Sequence, residues 1–372
     1  MIEKMKQYVG DYGNRITTAL VLLLLATSIA SRILFNGQVF EFDYFLFQPD
    51  GAAYTYMALK YAGLSHLEAA NEVIAWYSAH AEPGSALDLT FFSTESNPAV
   101  WGLVNSRIVY PLLSAPFVLF FGIPGMLIVP TISFVALLLM MMRLGKVTDN
   151  FTLSLILVTL LTTSPTISRW YIANITDGLL ATILAAACLL VTIGTRDSVT
   201  SIFLTGLIIL GSFTRFSMPY WYALGFFLFF IAKKRIATLT WLLSSLCFLP
   251  SFWQGRQIGA FVPVREGDTL EKILYLPVSA LRIAFIEFAQ LAALDRILLI
   301  LIIGAIVVAL LTWKSKISQL FLFFCLAGWL IGALNGTLGV NFRYQLPVVF
   351  MAGFVLLKEV KIEISLRKAM DS

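Results

Sequence analysis

Residues 293–313 read ALDRILLILIIGAIVVALLTW, and nearly every side chain after Arg296 in this stretch is apolar. A helix of about 20 such residues is long enough to cross the hydrocarbon core of a bilayer. The sequence therefore predicts an all-α fold, a polytopic membrane helical bundle of about 10 spans. The other nine apolar runs lie at residues 16–35, 124–143, 150–168, 177–194, 199–214, 217–232, 236–252, 317–335 and 344–359.

The composition supports a membrane protein. Hydrophobic residues make up 59% of the 372 residues and charged residues 13%, about half of the roughly 25% usual for soluble domains. So few polar side chains cannot cover the surface, and lipid must solvate most of it. The net charge of +5 is spread over short clusters at the ends of apolar runs, so it does not indicate nucleic-acid binding.

The basic clusters predict the topology. Cytoplasmic loops carry an excess of lysine and arginine, and all the clusters can face the cytoplasm if the chain crosses once between Arg107 and Arg143. The proline-containing run Tyr110–Gly122 is then re-entrant or interfacial instead of an eleventh span. We expect both termini inside. The clusters include Lys4, Lys6, Arg15, Arg143, Lys146, Lys233, Lys234, Arg235, Lys314, Lys316, Lys358, Lys361, Arg367 and Lys368.

The polar stretches predict two outer loops on a single transmembrane domain, residues 1–372. Residues 36–106 hold both histidines and many acids, and ionised groups are costly inside hydrocarbon. Within this first loop, residues 51–62 and 64–79 have helical spacing of apolar residues and predict interfacial helices. Residues 253–292 form the second outer loop, and the stretch 277–293 predicts another amphipathic interfacial helix.

Single charges gather at the span ends on this predicted outer face. Arginines there run against the positive-inside bias, so we expect them to bind something. The group comprises Asp50, Arg107, Arg169, Asp177, Arg215, Arg256, Arg265, Arg282 and Arg343.

Four fragments together resemble membrane-embedded glycosyltransferases of the C-type fold, which include dolichyl-phosphate-mannose-dependent mannosyltransferases and the aminoarabinose transferase. Their order and spacing along the chain carry the resemblance, and Gly178 stands where many relatives have proline. The fragments are Phe47-Gln48-Pro49-Asp50-Gly51-Ala52-Ala53-Tyr54, Arg107-Ile108-Val109-Tyr110-Pro111, residues 163–180 with Arg169-Trp170-Tyr171 and Thr176-Asp177-Gly178, and Asn341-Phe342-Arg343-Tyr344-Gln345-Leu346-Pro347.

The resemblance implies transfer of a sugar from a polyprenyl-phosphate donor to an acceptor that the sequence does not identify, on the outer or periplasmic face of the plasma (inner) membrane. A carboxylate can take the proton of an attacking hydroxyl, and Asp50 suits that role. Arginine binds phosphate through its planar fork, and Arg215 and Arg343 are the first choices. We expect no cofactor and no metal. The predicted substrate-binding residues are Tyr54, Arg107, Asp177, Arg215, Arg343 and Tyr344.

Each of these residues also has a structural interpretation. Asp50 before Gly-Ala-Ala is a good helix N-cap, and Asp177 could likewise cap the helix that begins at Gly178. Arg215 and Arg343 could form structural ion pairs with Asp177 or Asp50.

Metal sites have weaker support. Glu41-Phe42-Asp43 has an acid-x-acid spacing that is common by chance. His66 and Glu68 are two residues apart and point to different faces of a helix. The three cysteines, Cys188, Cys247 and Cys325, lie in apolar runs without a CxxC pair and are expected to pack.

A transporter or flippase for a lipid-linked solute is the alternative function. Transporters usually place polar groups near the membrane midplane, within structural repeats. In this chain the ionisable residues cluster at span ends and no repeat is evident, which favours the enzyme.

Overall fold

The computed structural model describes residues 49–80, 87–95, 98–172, 175–193, 197–215, 217–246, 269–335 and 342–360. Every regular element in these ranges is helical, so the all-α prediction is confirmed. The α-helices are α1 Pro49–Tyr61, α2 His66–His80, α3 Pro98–Asn105, α4 Val109–Phe121, α5 Ile128–Val147, α6 Phe151–Thr163, α7 Pro165–Ile172, α8 Asp177–Ile193, α9 Asp197–Ser212, α10 Met218–Phe226, α11 Arg235–Ser245, α12 Thr269–Leu294, α13 Arg296–Leu311, α14 Lys316–Asn335 and α15 Leu346–Glu359. Short 3-10 turns occupy Leu89–Phe92, Ile123–Leu127 and Arg343–Gln345, and a π-helical turn covers Phe227–Ile231.

Several helices are long and apolar enough to cross a membrane. They are Ile123–Val147, Tyr275–Leu294 and Lys316–Ala333, and the pair α6–α7, bent by 71°, makes a fourth if it is counted as one span. Large apolar side chains on the surface, such as Phe120 and Leu311, suit contact with lipid. The chain is therefore a membrane protein.

The predicted count of ten spans is not reached by these criteria. Val109–Phe121, Asp177–Ile193, Ser198–Ser212, Met218–Ile231 and Arg296–Leu311 are apolar but only 10–17 residues long, and a perpendicular crossing needs about 20. The predicted first span, residues 16–35, lies outside the described residues. The ten-span topology, including the orientation of Tyr110–Gly122, stays a prediction.

The structure of the second predicted outer loop differs most from the sequence prediction. The stretch 277–293 was expected to lie along the interface, but it belongs to the 26-residue helix α12, whose segment Tyr275–Leu294 is long and apolar enough to cross. Polar residues such as Arg282 and Glu287 had suggested an amphipathic surface helix. Glu287 is instead buried inside the protein.

The main core is built around α15. Residues from Leu346 to Val355 are buried on every side of this helix, which packs against α8, α13 and α14. Such an apolar helix, buried all round, is typical of the centre of a helical bundle. The 3-10 turn Arg343–Gln345 precedes it directly, so the side chains of that turn are anchored at the N-terminal end of a buried helix.

A second core lies under the first polar stretch. Helix α1 packs against α2, α3 and α4, and its small residues Ala52, Ala53 and Ala58 are fully buried. The predicted helices 51–62 and 64–79 are present as α1 and α2 with shifts of two residues or fewer. Because α1 is held from three sides, the acid in its first turn has a defined position.

Candidate active site

Asp50 lies in the first turn of α1, which begins at Pro49. Proline suits the first helical position and a carboxylate suits the positive end of the helix dipole. The side chain is 24% exposed, its Oδ2 accepts a hydrogen bond from Arg343 Nη2 at 3.3 Å, and Arg107 Nη1 lies 3.6 Å away. Asp50 is therefore both ion-paired and partly exposed.

Arg107 joins the short helix α3 to α4. It is buried, and its Nη1 donates a hydrogen bond of 2.7 Å to the hydroxyl of Tyr54. The Tyr54 ring packs edge-on against Tyr110 with 5.6 Å between centroids. Burial raises the pKa of Tyr54, so the phenol stays protonated while it accepts from the guanidinium.

Asp177 occupies the first turn of α8 and is the buried counterpart of Asp50, with its side chain 3% exposed. Its Oδ2 accepts a hydrogen bond from Arg343 Nε at 3.0 Å, and its Oδ1 accepts one from Arg215 Nη1. The carboxylate thus uses both oxygens to hold two arginines from distant parts of the chain. Arg215 lies three residues after the end of α9.

Arg343 links the two carboxylates. Its Nε contacts Asp177 and its Nη2 contacts Asp50. The preceding residue, Phe342, has φ of 64°, a left-handed conformation that is uncommon for residues other than glycine. This backbone turn directs the chain into the short 3-10 segment that carries Arg343. We call Asp50, Arg107, Asp177, Arg215 and Arg343 the ion-pair network.

Aromatic rings flank two of the guanidinium groups. Arg215 Cζ lies 4.9 Å from the ring centroid of Tyr344, and Arg343 Cζ lies 5.5 Å from that of Trp170. Contacts of this kind stabilise a partly desolvated cation and fix the plane of the guanidinium. The ring of Trp170 also lies 5.8 Å from Arg169 Cζ.

The ion-pair network carries an excess of positive charge. Three guanidinium groups face two carboxylates, so the five side chains sum to a single positive charge. Buried charge of one sign is costly unless it is neutralised. The arrangement is therefore suited to hold an anion near Asp50.

Asp50 remains ionised in this setting. Burial alone would raise its pKa, but the guanidinium groups, first that of Arg107 and then that of Arg343, outweigh burial and hold the pKa below the ordinary value of 3.8. A carboxylate in that state is ready to accept a proton but is a weak base. Its basicity would rise if an anion drew the guanidinium groups away.

The structure brings together every residue predicted for the site: Asp50, Tyr54, Arg107, Asp177, Arg215, Arg343 and Tyr344. The ion-pair interpretation of Arg215 and Arg343 is also realised, since both contact Asp177. Asp50 lies inside the first turn of α1 instead of preceding the helix, which disfavours the pure N-cap interpretation.

The structure adds no support for a metal site at Glu41-Phe42-Asp43 or around His66. His66 shares a hydrogen bond with Tyr56, Glu41-Phe42-Asp43 lies outside the described residues, and the described ranges contain no cluster of three or more metal-ligating side chains.

Two features near the network were not assigned a role from the sequence. Trp170 belongs to one of the four fragments but was given no role of its own. Its neighbour Arg343 is 173 positions away in sequence, so no local pattern pairs them. Glu287 was interpreted as part of a polar helix face, although a lone acid in an apolar helix can also be a buried acid.

Comparison with known proteins adds no relative, because no family model, curated protein or solved structure matches the chain. Function therefore has to be inferred from the geometry of the ion-pair network.

Proposed function

We propose that the chain is a glycosyltransferase of the plasma membrane that transfers a sugar from a polyprenyl-phosphate donor to an acceptor on the outer face. One observation supports the proposal: a partly exposed carboxylate, that of Asp50, lies beside a surplus of guanidinium charge. The first group can accept a proton and the second can stabilise a departing phosphate. Glycosyl transfer from a lipid phosphate needs both.

The reaction has a simple balance of bonds. The acceptor oxygen attacks the anomeric carbon while its proton passes to the Asp50 carboxylate, and the bond from the anomeric carbon to the phosphate oxygen breaks. The phosphate leaves with that electron pair. Positioned cations reduce the cost of the developing charge, and this is the role proposed for Arg107, Arg215 and Arg343.

Binding of the donor would also activate the base. A phosphodiester carries one negative charge, which matches the single excess positive charge of the ion-pair network. When the phosphate takes hydrogen bonds from Arg343 and Arg107, those groups interact less with Asp50. Its pKa then rises toward a value better suited to proton transfer.

The proposal is tested by transfer of a labelled sugar from a synthetic polyprenyl-phosphoryl donor in detergent, with a mixture of candidate acceptors. We expect Asp50→Asn to lower turnover by about 10²–10⁴-fold, the usual contribution of a general base, with donor KM changed far less. Full activity of the substituted protein would remove Asp50 from the mechanism. Absence of transfer by the native protein, together with movement of the donor across vesicle membranes, would favour the transporter.

Arg343→Lys tests the phosphate site separately. Lysine keeps the charge but cannot reach Asp50 and Asp177 at once through a planar fork. We expect donor KM to rise about 10–100-fold, because a hydrogen bond to a charged group contributes about 1.5–3 kcal/mol. Arg282→Lys, at an exposed arginine on α12, is the matched control and should leave KM unchanged. An unchanged KM in Arg343→Lys would contradict the assignment.

A further inference from the structure

Glu287 is a buried acid that the proposed reaction does not use. It lies on α12 within the segment Tyr275–Leu294, is 1% exposed, and within the described ranges neither of its carboxyl oxygens has a hydrogen-bond partner. An ionised carboxylate in such surroundings costs several kcal/mol. A buried polar group of this kind calls for a specific explanation.

Gln345 is the neighbour of Glu287 in this buried region. It closes the 3-10 turn that carries Arg343, and it is also 1% exposed with both amide atoms unbonded in the part of the chain that the structure describes. The two side chains are within reach of each other. The Gln345 amide can both donate and accept a hydrogen bond, so it can pair with the unpaired carboxyl oxygens of Glu287.

Close packing excludes a large third partner. A β-carbon added at Gly328 on α14 would collide with Gln345 Oε1 and with the Tyr220 hydroxyl, so the helix backbone lies directly against these groups. The Tyr220 hydroxyl donates a 2.5 Å hydrogen bond to the carbonyl of Tyr344, so its proton is not available to Glu287. Gln345 is the neighbour of Glu287 whose donor and acceptor are both unused among the described residues.

The chemistry of the surroundings favours a neutral acid. The titratable neighbours of this cluster are Tyr220 and Cys325, both uncharged, and none of the ion pairs among the described residues includes Glu287. Without an ion-pair partner among the described residues, a buried carboxylate would be left unneutralised. A carboxylic acid and an amide instead form a pair with two hydrogen bonds, the acid O–H to the amide oxygen and the amide N–H to the acid carbonyl.

We propose that Glu287 is a neutral carboxylic acid paired with the Gln345 amide, and that this pair fixes the turn that presents Arg343 to the ion-pair network. Glu287 is then a positioning residue, acting through Gln345. Its effect on the donor rests on the proposed function, whereas the existence of the pair does not.

Infrared spectroscopy tests the protonation state directly. The native protein at neutral pH should show a carbonyl-stretch band of a protonated carboxylic acid that is missing from Glu287→Gln. Absence of this difference would overturn the proposal. The measurement needs no substrate, so it stands whether or not the protein transfers a sugar.

Hydrogen exchange tests the positioning role. In Glu287→Leu, which leaves Gln345 without a polar partner, we expect the backbone amides of residues 342–346 to exchange about tenfold faster. Glu287→Gln keeps a neutral pair with two hydrogen bonds and should exchange like the native protein, as should the exchanged pair Glu287→Gln with Gln345→Glu. If Glu287→Leu fails to fold, Glu287→Gln and the double variant still test the proposal. Faster exchange than in the native protein in both of them would overturn the neutral pair.

Donor kinetics separate positioning from general destabilisation. Glu287→Leu should raise donor KM about tenfold and change turnover by less than about threefold, since the fixed turn affects phosphate binding. Glu287→Gln should restore the native KM. A loss in Glu287→Gln as large as in Glu287→Leu would show that a charged carboxylate is required and would overturn the proposal. If the expected infrared band and exchange rates are found but the native protein transfers no sugar, only the proposed function is contradicted.

Discussion

At the scale of single residues, two aspartates with the same chemistry have different surroundings. Asp177 is enclosed and holds two arginines with its two oxygens, whereas Asp50 shares its cations and remains partly exposed. Such a division typically separates a structural carboxylate from a reactive one. Replacing Asp177 is therefore expected to harm folding first and replacing Asp50 to harm chemistry first.

The pKa of Asp50 predicts the acid side of the pH profile. Its pKa in the folded protein lies below the ordinary value of 3.8, and kcat/KM reports the free enzyme. We therefore expect Asp50 to cause no loss of kcat/KM until the pH falls below about 4. The acid limb of kcat should lie at higher pH, because bound phosphate weakens the hold of the arginines on Asp50.

The lowered pKa of Asp50 also determines how the stability of the fold depends on pH. A lowered folded-state pKa stabilises the protein above pH 3.8, and this contribution is lost as the pH falls through the folded-state value. Thermal midpoints of the native protein and Asp50→Asn, measured from pH 7 down to pH 3, should converge at the acid end. The kinetic prediction for Asp50 has its own contrary outcome. If kcat/KM of the native protein fell already near neutral pH, and this fall were missing in Asp50→Asn, the lowered pKa of Asp50 would be contradicted.

The sequence predicted the site residues better than their contacts. Single charges at the ends of apolar runs identify Asp50, Arg215 and Arg343 because unpaired charge is costly there. Which carboxylate pairs with which arginine depends on helix packing between segments 38 to 293 residues apart, and no local pattern contains it. Glu287 was misplaced for the same reason, since burial of one helix face depends on its neighbours.

At the scale of elements, Asp295 joins two helices. It precedes α13, where its Oδ1 accepts from the backbone N–H of Leu298 at 3.1 Å. Its Oδ2 accepts from the Ser164 hydroxyl at 2.5 Å and from the Thr166 N–H at 3.2 Å, at the start of α7. One buried carboxylate thus satisfies the first turns of two helices.

Asp295→Ala should destabilise the protein more than an ordinary cap substitution. Loss of a cap costs about 0.5–2 kcal/mol, and a further cost of about 1–3 kcal/mol comes from leaving buried donors unpaired. We expect a lower thermal midpoint in detergent. Asp88→Ala is the control, because Asp88 accepts from Thr90 and Phe91 N–H groups at an exposed site. Equal losses in the two variants would contradict the joining role.

Element boundaries show where sequence prediction stops. The apolar run 150–168 suggested one straight span, but the structure breaks it at Ser164 and bends it by 71°. Pro165 begins α7 and restricts the residue before it to extended backbone, and Ser164 indeed has ψ of 118°. The proline was visible in the sequence, whereas the partner Asp295 that stabilises the break was not.

At the scale of the whole molecule, the ten-span topology is a testable prediction. With residues 253–292 kept outside, it places residue 95 outside and residues 233 and 314 inside, whereas a crossing by Tyr275–Leu294 would put residue 314 outside. With the three native cysteines replaced, Glu95→Cys should react with a membrane-impermeant maleimide added to intact cells, while Lys233→Cys and Lys314→Cys should react only after permeabilisation. Labelling of either lysine position in intact cells would require a different topology.

Arg343 follows the other four residues of the ion-pair network in the sequence, and this order has a consequence for biosynthesis. Before residue 343 is synthesised, Asp50 can pair within the network only with Arg107, and Asp177 only with Arg215. These two neutral pairs are joined when Arg343 emerges and contacts both carboxylates. A truncated product that stops before Arg343 would retain two loosely held half-sites, and membrane proteases that remove incomplete chains would find it easier to unfold.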